Sequence, residues 1–331
     1  MLLVNAQHIK AVPGRKTDQK DSEWIADLLQ HGLLRGSFVP PRPTRELRDL
    51  TRYRVSLAQE INRIANRVQK VLEDANIKLA SVATDPLGAS GRAMLEAMLA
   101  GEQNAAQLAE LSKGLLRSKI PELKLAPEGH VTEHHRFLLQ QLCDHLLFTE
   151  SKRKQIEEEI ERRMRPFQAE VVRWCTIPGV GRVSAWGLLA EIGLNMDQFP
   201  SAAHLASWAC LCPGSFESAR KRLSGKMRKG NVSLPCCLAQ AAWAISMMKN
   251  NYLSALYRRI AAWRGAKRAV MAVAHALLEM AYHMLKRKED YRELGADHFD
   301  RIDVNRIRRS LVRRLERLGH KVTLEPLALT A

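Results

Sequence analysis

The sequence lacks the features that mark membrane and secreted proteins. It contains no run of eighteen apolar residues, which a membrane-spanning helix would require. Its first residues, MLLVNAQHIKAVPGRK, do not follow the pattern of a signal peptide, because the apolar part is too short and the positive charge comes after it. We therefore expect a cytoplasmic protein.

A metal-binding cysteine pattern is also missing. The six cysteines include no Cys-x-x-Cys pair, and the histidines are not spaced around them as zinc ligands would be. Reduced and mostly buried thiols are the expected state in a cytoplasmic protein. His275 and His283 lie two turns apart on a helical face that looks buried, and no acidic ligand set surrounds them, so we interpret them as core or packing histidines.

Acidic residues are scarce relative to basic ones. The chain has 52 lysines and arginines against 35 aspartates and glutamates, so its net charge is +17 and its isoelectric point is near 9.9. This excess of positive charge predicts a polyanionic partner and favours nucleic acid over a membrane surface. The alternative, charge that only keeps the protein soluble, is less favoured because the charge is clustered.

The densest cluster lies in residues 212–231, CPGSFESARKRLSGKMRKGN. Its serines, glycines and proline predict a loop rather than a helix, and a basic loop of this kind is suited to holding a phosphate backbone. The alternative is a disordered linker, but apolar helical segments on both sides favour a loop held on a folded scaffold. The candidate nucleic-acid-binding residues here are Arg220, Lys221, Arg222, Lys226, Arg228 and Lys229.

Composition and periodicity divide the chain into four regions. Residues 1–43 read as a short buried strand, a helix over 18–34 and a proline-rich linker. Because one strand cannot make a sheet, we expect that the chain begins in the middle of a domain. The other regions are a helical one over 44–166, a second helical one over 167–290 and a basic tail over 291–331.

Two long helices dominate the second region. In the first, which starts at Thr44, five apolar residues recur at the spacing of a coiled-coil seam: Leu57, Ile61, Ile64, Val68 and Val71. The second helix runs from about His134 to Arg165. We expect the two to pack antiparallel, or against a second copy of the chain, with short helices between them. The predicted fold class is therefore mainly α.

A glycine-containing turn, IPGVG at 177–181, joins two predicted helices of the third region. In helix–hairpin–helix modules such a turn lets backbone N–H groups approach a DNA phosphate, which would give Gly179 and Gly181 a role in nucleic-acid binding. A turn that merely joins two packed helices explains the pattern equally well. The tail after Glu289 contains a short basic amphipathic helix that contacts nucleic acid or packs on the body of the protein.

Several segments, in a common order, resemble the DEDD transposases of bacterial insertion sequences, the insertion sequence one-ten family, whose relatives include the Piv-type DNA invertases. The segments are GRKTDQKDSEWIADLL, FVPPRPTRELRDLTRYR, IPGVG with AEIG, FPSAAHLASWACLCPG and ESARKRLSGKMRKGN. The resemblance covers residues 1–300 and leaves the C-terminal tail outside. It implies a bacterial cytoplasmic protein that cuts and rejoins DNA.

The same resemblance implies an architecture and partners. Members are expected to have a RuvC-like α/β domain, of which residues 1–43 would be a part, then a coiled coil and a C-terminal transposase domain with a catalytic serine. Four acids of the RuvC-like domain, in the order Asp, Glu, Asp and Asp, bind a divalent cation such as Mg²⁺. DNA and a structured guide RNA are the implied partners, and a homo-oligomer is expected.

Residue by residue, Asp18 and Asp21 match the last two acids of that set, and the first two have no counterpart in this sequence. Ser218 is the best match to the catalytic serine of the family, and Ser224 is the alternative. Relatives usually have glycine after that serine, whereas Ser218 is followed by Ala219. A truncated, catalytically inactive relative that only binds nucleic acid is therefore the alternative to an active recombinase. A basic nucleic-acid-binding protein of an unrelated family is the least favoured interpretation.

The residue types fit this chemistry, although each has a simpler explanation. Without the resemblance, Asp18 or Asp21 would be interpreted as a helix cap. Three positions apart on a helix, the two carboxylates lie on one face and can share Mg²⁺, although two acids supply few of its oxygen ligands. A serine hydroxyl beside Arg220, Lys221 and Arg222 could attack a phosphate whose charge the cations stabilise. The alternative for the serine is an ordinary loop hydroxyl that bonds nearby backbone.

Overall fold

The computed structural model is mainly helical, which confirms the predicted fold class. The chain forms two compact units, one of residues 47–166 and one of residues 1–46 together with 167–331. The finer division into four regions stays a prediction. The residues that the structure describes are 3–4, 18–34, 36, 38–82, 85–125, 129–212, 216–218, 221–224, 230–302 and 304–325.

The N-terminal segment contributes helix α1 (Asp18–Gln30). The sequence predicted that this helix continues to residue 34, but Gly32, with a φ of 66°, ends it earlier. The Leu33 amide then donates to the carbonyl oxygen of Leu28 at 3.0 Å, which is the longer bond of a Schellman motif. A glycine in the left-handed conformation thus sets the end of α1.

Most of the strand predicted at the N-terminus lies outside the described residues. Within residues 3–4, Val4 forms an isolated antiparallel bridge with Gly36. The linker that follows is packed against the C-terminal part of the same unit, where the Phe38 ring meets the Phe199 ring edge-on at 5.8 Å between centroids. The RuvC-like character of this segment stays a prediction.

The unit of residues 47–166 is built from two long helices with short helices between them. The first turn of α2 belongs to the other unit. The elements are α2 (Arg42–Asp74), α3 (Leu79–Val82), α4 (Ala89–Leu99), α5 (Ala105–Glu110), a 3₁₀ helix (Gly114–Lys119), α6 (Ile120–Leu125) and α7 (Glu133–Met164).

The two long helices run antiparallel within this unit. A ring nitrogen of His135 lies 3.1 Å from a carboxylate oxygen of Asp74, and Arg54 donates to Glu157 at 2.8 Å. Because the partner's number falls along α7 as the residue number rises along α2, the helices have opposite directions. Of the two arrangements expected from the sequence, the structure therefore shows the intrachain pair.

The apolar seam of α2 is buried at Ile64 and Val68, while Leu57, Ile61 and Val71 are half-buried. Ile64 and Val68 on α2 and Leu139 on α7 have no exposed surface, and all three belong to one hydrophobic cluster. Burial of this kind stabilises each side chain by about 1.5–3 kcal/mol relative to water. The middle of the seam is thus covered inside the chain.

A charged pair ties α4 to α7. Arg92 donates to both carboxylate oxygens of Glu150, at 2.9 and 2.6 Å. The bidentate bond lowers the pKa of Glu150 below its ordinary value and raises that of Arg92, in each case mainly through the side-chain hydrogen bond. Planar guanidinium and carboxylate groups match in this geometry, which fixes the orientation of α4 on α7.

The C-terminal part of the other unit is a helical body with one small hairpin. Its central helix, α13, packs against α8, α10, α11 and α12. The elements are a 3₁₀ turn (Arg165–Phe167), α8 (Gln168–Cys175), α9 (Arg182–Ile192), α10 (Ala202–Trp208), β1 (Phe216–Ser218), β2 (Lys221–Ser224), α11 (Ser233–Met247), α12 (Tyr252–Arg264), α13 (Ala266–Arg287), α14 (His298–Ile302) and α15 (Val304–Arg317).

The core of this body forms around α13. Leu277, Leu278 and Tyr282 are buried, and the Tyr282 hydroxyl donates to the Phe199 carbonyl oxygen at 3.0 Å, so the buried polar atom is satisfied. Across the part of the chain that the structure describes, no helix is both long enough and apolar enough to span a membrane.

Candidate functional site

The basic segment 212–231 contains a β-hairpin where the sequence predicted a loop. Strands β1 and β2 pair antiparallel. Ser218 is paired with Lys221 at one end of this ladder, and Glu217 is paired with Arg222 one position away. The backbone therefore brings the candidate nucleophile and two of the candidate cations to one end of one hairpin.

The alternative serine lies at the other end of the hairpin. Ser224 is paired with Phe216, and the register shifts between Phe216 and Glu217. Leu223 is the extra residue that this shift leaves on β2, as in a β-bulge. Since Phe216 precedes Ser218 by two positions, the two serines are separated by about 7 Å along the strands. The two assignments thus place the reacting atom at different ends of the hairpin and can be tested separately.

Part of the predicted site lies outside the described residues. Arg220, Lys226, Arg228 and Lys229 belong to this part. For Asp18, Ser218, Lys221, Arg222 and Ser224 the backbone is described and the side chain is not. The predicted roles of these residues remain predictions.

The two ends of the hairpin segment meet at the surface of the helical body. A Cβ atom added to Gly230 would lie 2.5 Å from the Sγ atom of Cys210, so the chain returns to within contact of the point where it left. Leu211 before the hairpin and Leu234 after it are both buried. The hairpin is therefore held between two packed segments.

A buried carboxylate secures the return of the chain. The Asn231 side-chain amide donates to Glu191 on α9 at 2.6 Å, and Glu191 is only 2% exposed. The Asn231 side-chain oxygen accepts from the amides of Ser233 and Leu234 at 2.9 and 3.4 Å, at the start of α11. Because a buried charge is costly unless it is hydrogen-bonded, this contact constrains the position of the hairpin's second end.

The first end of the hairpin segment lies near a histidine. The Cys212 sulfur is 4.0 Å from Nε2 of His275, and Nδ1 of His275 is 3.6 Å from a Glu279 oxygen one turn further along α13. The sequence analysis interpreted His275 as a core or packing histidine without an acidic ligand set, and Glu279 is the single acid that contacts it among the described residues. The predicted burial of His283 was wrong, because that side chain is exposed although its ring contacts Tyr282.

The IPGVG turn connects α8 and α9, and its two glycines have different surroundings. Gly179 has a φ of 77°, and a Cβ atom there would lie 2.5 Å from Cγ1 of Ile245 on α11. Gly181 precedes α9 with an ordinary φ of −86°, and a Cβ atom there would meet nothing within 4 Å. Packing and the left-handed φ therefore explain Gly179, whereas no packing contact requires a glycine at position 181.

The two candidate metal ligands begin α1. Asp21 is exposed and lies one turn after Asp18, so the two positions share a helical face. Carboxylate oxygens are the donors that Mg²⁺ prefers, and in this respect the residues fit the cation. In the described ranges, no group of three or more His, Cys, Asp or Glu side chains is arranged to hold a metal. The donor type fits, and the remaining ligands are not found among the described side chains.

Glu191 and Asn231 are functional candidates that the sequence analysis did not select. Glu191 is the single acid in the apolar stretch SAWGLLAEIG, and a lone carboxylate among apolar residues indicates a buried charge with a specific partner. This signal was present in the sequence. Its partner could not be identified there, because Asn231 lies forty residues later in the chain.

Comparison with protein families gives two matches. A model described as the transposase IS116/IS110/IS902 family matches residues 173–258, which include the IPGVG turn, Glu191, the hairpin and Asn231. A model of the DEDD type described as a transposase matches residues 1–77, which include Asp18 and Asp21. No curated protein matches the chain significantly. The tail that contains α15 lies beyond both matched ranges.

Proposed function

We propose that this chain, which belongs to the IS116/IS110/IS902 family of transposases, breaks and rejoins DNA strands with Ser218 as the nucleophile. One observation supports the assignment: in the register of the two strands, Ser218 is paired with Lys221 and lies one position from the pair of Glu217 and Arg222. A serine that the strand pairing places next to two basic residues is suited to attack a phosphate whose charge those residues stabilise. Ser224, at the base of the hairpin, is the alternative.

Attack by serine would conserve the energy of the broken DNA bond. The Ser218 oxygen forms a bond to phosphorus while the bond from phosphorus to one DNA oxygen breaks, and that oxygen leaves as a hydroxyl after taking up a proton. A hydroxyl of a second DNA end then attacks the phosphoserine, which joins the new strand and restores serine. Because a serine hydroxyl is a weak nucleophile near neutral pH, it has to be activated within the assembled site.

The basic residues of the hairpin segment would hold the phosphate. Lys221 and Arg222, close to Ser218 in the register, stabilise the charge that develops on the phosphate under attack. The other candidates position the DNA backbone, a role that carries no sequence information by itself. These candidates are Arg220, Lys226, Arg228, Lys229, Gly179 and Gly181.

A divalent cation is the cofactor that the DEDD family suggests. Asp18 and Asp21 are the residues of this chain that would hold Mg²⁺, as oxygen donors on one helical face. When bound, such a cation polarises a phosphate oxygen and stabilises charge on attacking and leaving oxygens. The two carboxylates would position the cation, while the hydroxyl of Ser218 makes the new bond.

A guide RNA and a second copy of the chain are further proposed partners. The net charge of +17 supports an RNA partner in addition to DNA, because a polyanion of either kind is attracted. A homo-oligomer is supported by apolar side chains that remain exposed on α7, among them Phe137 at 63%, Leu147 at 59% and Phe148 at 61%. Sedimentation of the wild-type chain and of Phe148→Ser would test the oligomer, and equal masses for the two would count against a role for this surface.

Strand exchange between two plasmid-borne element ends tests the nucleophile. Ser218→Ala should abolish joining and the covalent protein–DNA product seen on denaturing gels, while DNA binding is retained. Ser224→Ala is the matched control on the same hairpin and should leave both intact. The reverse result would move the nucleophile to Ser224, and loss of neither product would refute covalent serine catalysis by this hairpin. Binding without joining in the wild-type chain would favour a protein that only binds nucleic acid.

A further inference from the structure

The C-terminal helix α15 combines strong positive charge with exposure. Its fourteen residues, VNRIRRSLVRRLER, contain six arginines, one glutamate and no lysine. None of its described side chains is buried. An exposed helix with this positive charge is suited to bind a negatively charged molecule outside the chain.

Four of the six arginines are arranged on one side of the helix. Arg309, Arg313 and Arg317 recur every four residues, so each lies about 6 Å further along the same face. They line one shallow concavity together with Ser310 and Arg314. The remaining described arginine, Arg308, does not line this concavity.

The positive face has no acidic partner within the described part of the chain. Arg309 donates to the backbone oxygen of Asn305 at 3.2 Å, and no ion pair involves Arg309, Arg313, Arg314 or Arg317 there. By contrast, Arg301 on the preceding helix is paired with Asp297 at 3.1 Å. The charge of α15 is therefore available to a polyanion outside the chain.

We propose that α15 is a second DNA-contacting element, which binds the backbone and major groove of a DNA duplex outside the family-matched region. A helix with its side chains is about 10–12 Å across and the major groove of B-DNA is about 12 Å wide, whereas the major groove of duplex RNA is too narrow and deep to read. Arginine forks bind phosphate oxygens and guanine edges through two hydrogen bonds. The inference rests on the proposed function only in that the protein acts on DNA, and it does not depend on Ser218.

Two other occupants fit the helix less well. Packing of α15 against α15 of a second copy through Leu311 and Leu315 would bring two sets of arginines together, and like charges repel. An anionic membrane surface usually meets aromatic as well as aliphatic residues on the apolar face, and α15 contains no aromatic residue. Both occupants are outcomes that the experiment distinguishes.

The test measures how DNA affinity of the full chain depends on salt. Arg309→Gln with Arg313→Gln should lower the slope of log K against log salt by about 1.8, since each phosphate contact contributes about 0.9. Affinity at 150 mM salt should fall on the order of tenfold. The control is Arg308→Gln with Lys321→Gln, which removes the same charge from the same region but outside the arginine concavity, and it should change affinity less than about twofold.

Several results would overturn the proposal. Equal losses for the two double variants would mean that only net charge matters. Loss of binding to an RNA duplex or to phosphatidylserine vesicles, with DNA binding unchanged, would assign α15 to that partner instead. A change in sedimentation of the Leu311→Gln chain without a change in DNA binding would assign it to self-association. Circular dichroism of each variant checks that it is folded. The Ser218→Ala chain should show the same salt dependence of DNA binding as the wild type, so a failure of the catalytic assignment can be distinguished from a failure of this inference.

Discussion

Helices α7 and α15 are both amphipathic and rich in charge, but α7 contains buried side chains and no side chain of α15 is buried in the part of the chain that the structure describes. On α7, Leu139 and Ile160 have no exposed surface, whereas on α15 Leu311 is 54% and Leu315 is 43% exposed. Both sequences predict a helix with an apolar side. The comparison shows that this pattern specifies the helix but does not specify what covers its apolar side.

The charges of the two helices differ in the same way. Glu159 on α7 accepts from Arg162 and Arg163, each at 2.6 Å, and these bonds lower its pKa to about 2. On α15 the arginines Arg309 and Arg313 have no acidic partner in the described ranges. Charge is therefore locally neutralised on α7 and left for an outside polyanion on α15.

The strongest way to break the comparison is to remove a buried leucine of α7. Leu139→Ala should lower the free energy of unfolding by about 2–5 kcal/mol, because the side chain leaves a cavity in the cluster that includes Ile64 and Val68. Urea denaturation followed by circular dichroism measures the change in the unit that contains α7. A loss below about 1 kcal/mol would mean that the helix pair is not packed as the structure shows.

The two glycines of the IPGVG turn extend the comparison to a loop. Gly179→Ala should cost about 1–3 kcal/mol, because alanine is strained at a φ of 77° and its Cβ would collide with Ile245. Gly181→Ala is the matched control and should cost less than about 0.5 kcal/mol, since its φ is ordinary and the space is open. Thermal unfolding checks both. DNA binding lost in Gly181→Ala without loss of stability would support the phosphate role of this glycine.

The helices could be predicted from local sequence patterns, but the partners against which they pack could not. The alternating spacing of four and three residues from Leu57 to Val71 predicted an apolar seam, and it could not decide between an intrachain partner and a second copy. That choice depends on the contacts between Asp74 and His135 and between Arg54 and Glu157, which are far apart in sequence. At shorter range, Gly32 indicated where the helix ends, but the predicted end at residue 34 lay four residues beyond the observed end at Gln30.

The candidate site was predicted by resemblance more than by pattern. The basic segment around Ser218 was visible in the composition, but its many serines and glycines predicted a loop and not the paired strands. The Glu191–Asn231 contact could not be predicted, because a buried ion's partner is set by tertiary folding. For His283, the apolar residues around it in the sequence suggested burial. It follows the buried Tyr282 directly, but the next position on a helix points in a different direction, and the His283 side chain is exposed.

Acidification offers a smaller test of the charges on α7. The pKa of Glu150 is lowered chiefly by the hydrogen bond from Arg92, so the stabilisation is present above the ordinary glutamate pKa of 4.5 and is lost as the pH falls through the depressed value in the folded protein. The pair is partly exposed, so its contribution is expected to be about 0.5–1 kcal/mol. Glu150→Gln should therefore be less stable than wild type at pH 7, with a difference that shrinks towards pH 3.

The matched control for that titration is Glu158→Gln on the same helix, an exposed position. Its stability relative to wild type should stay nearly constant over the same pH range, as measured by urea denaturation at each pH. If the Glu150→Gln difference does not shrink on acidification, the pair with Arg92 is not formed in solution and α4 is held on α7 by apolar contacts alone.

The smallest expected effect belongs to the exposed leucine of α15, and it completes the comparison with Leu139. Leu311→Ala removes the same atoms as Leu139→Ala, but from a side chain that is 54% exposed. With little apolar area withdrawn from water in the folded chain, the free energy of unfolding should change by less than about 0.5 kcal/mol. Alanine is also the better helix former, by a few tenths of a kcal/mol, so a slight stabilisation is within the expected range.

Urea denaturation of both variants under one set of conditions provides the measurement. A loss above about 1.5 kcal/mol for Leu311→Ala would show that the apolar side of α15 is covered in the free protein, and the helix would then be part of the packed body rather than an element held ready for DNA.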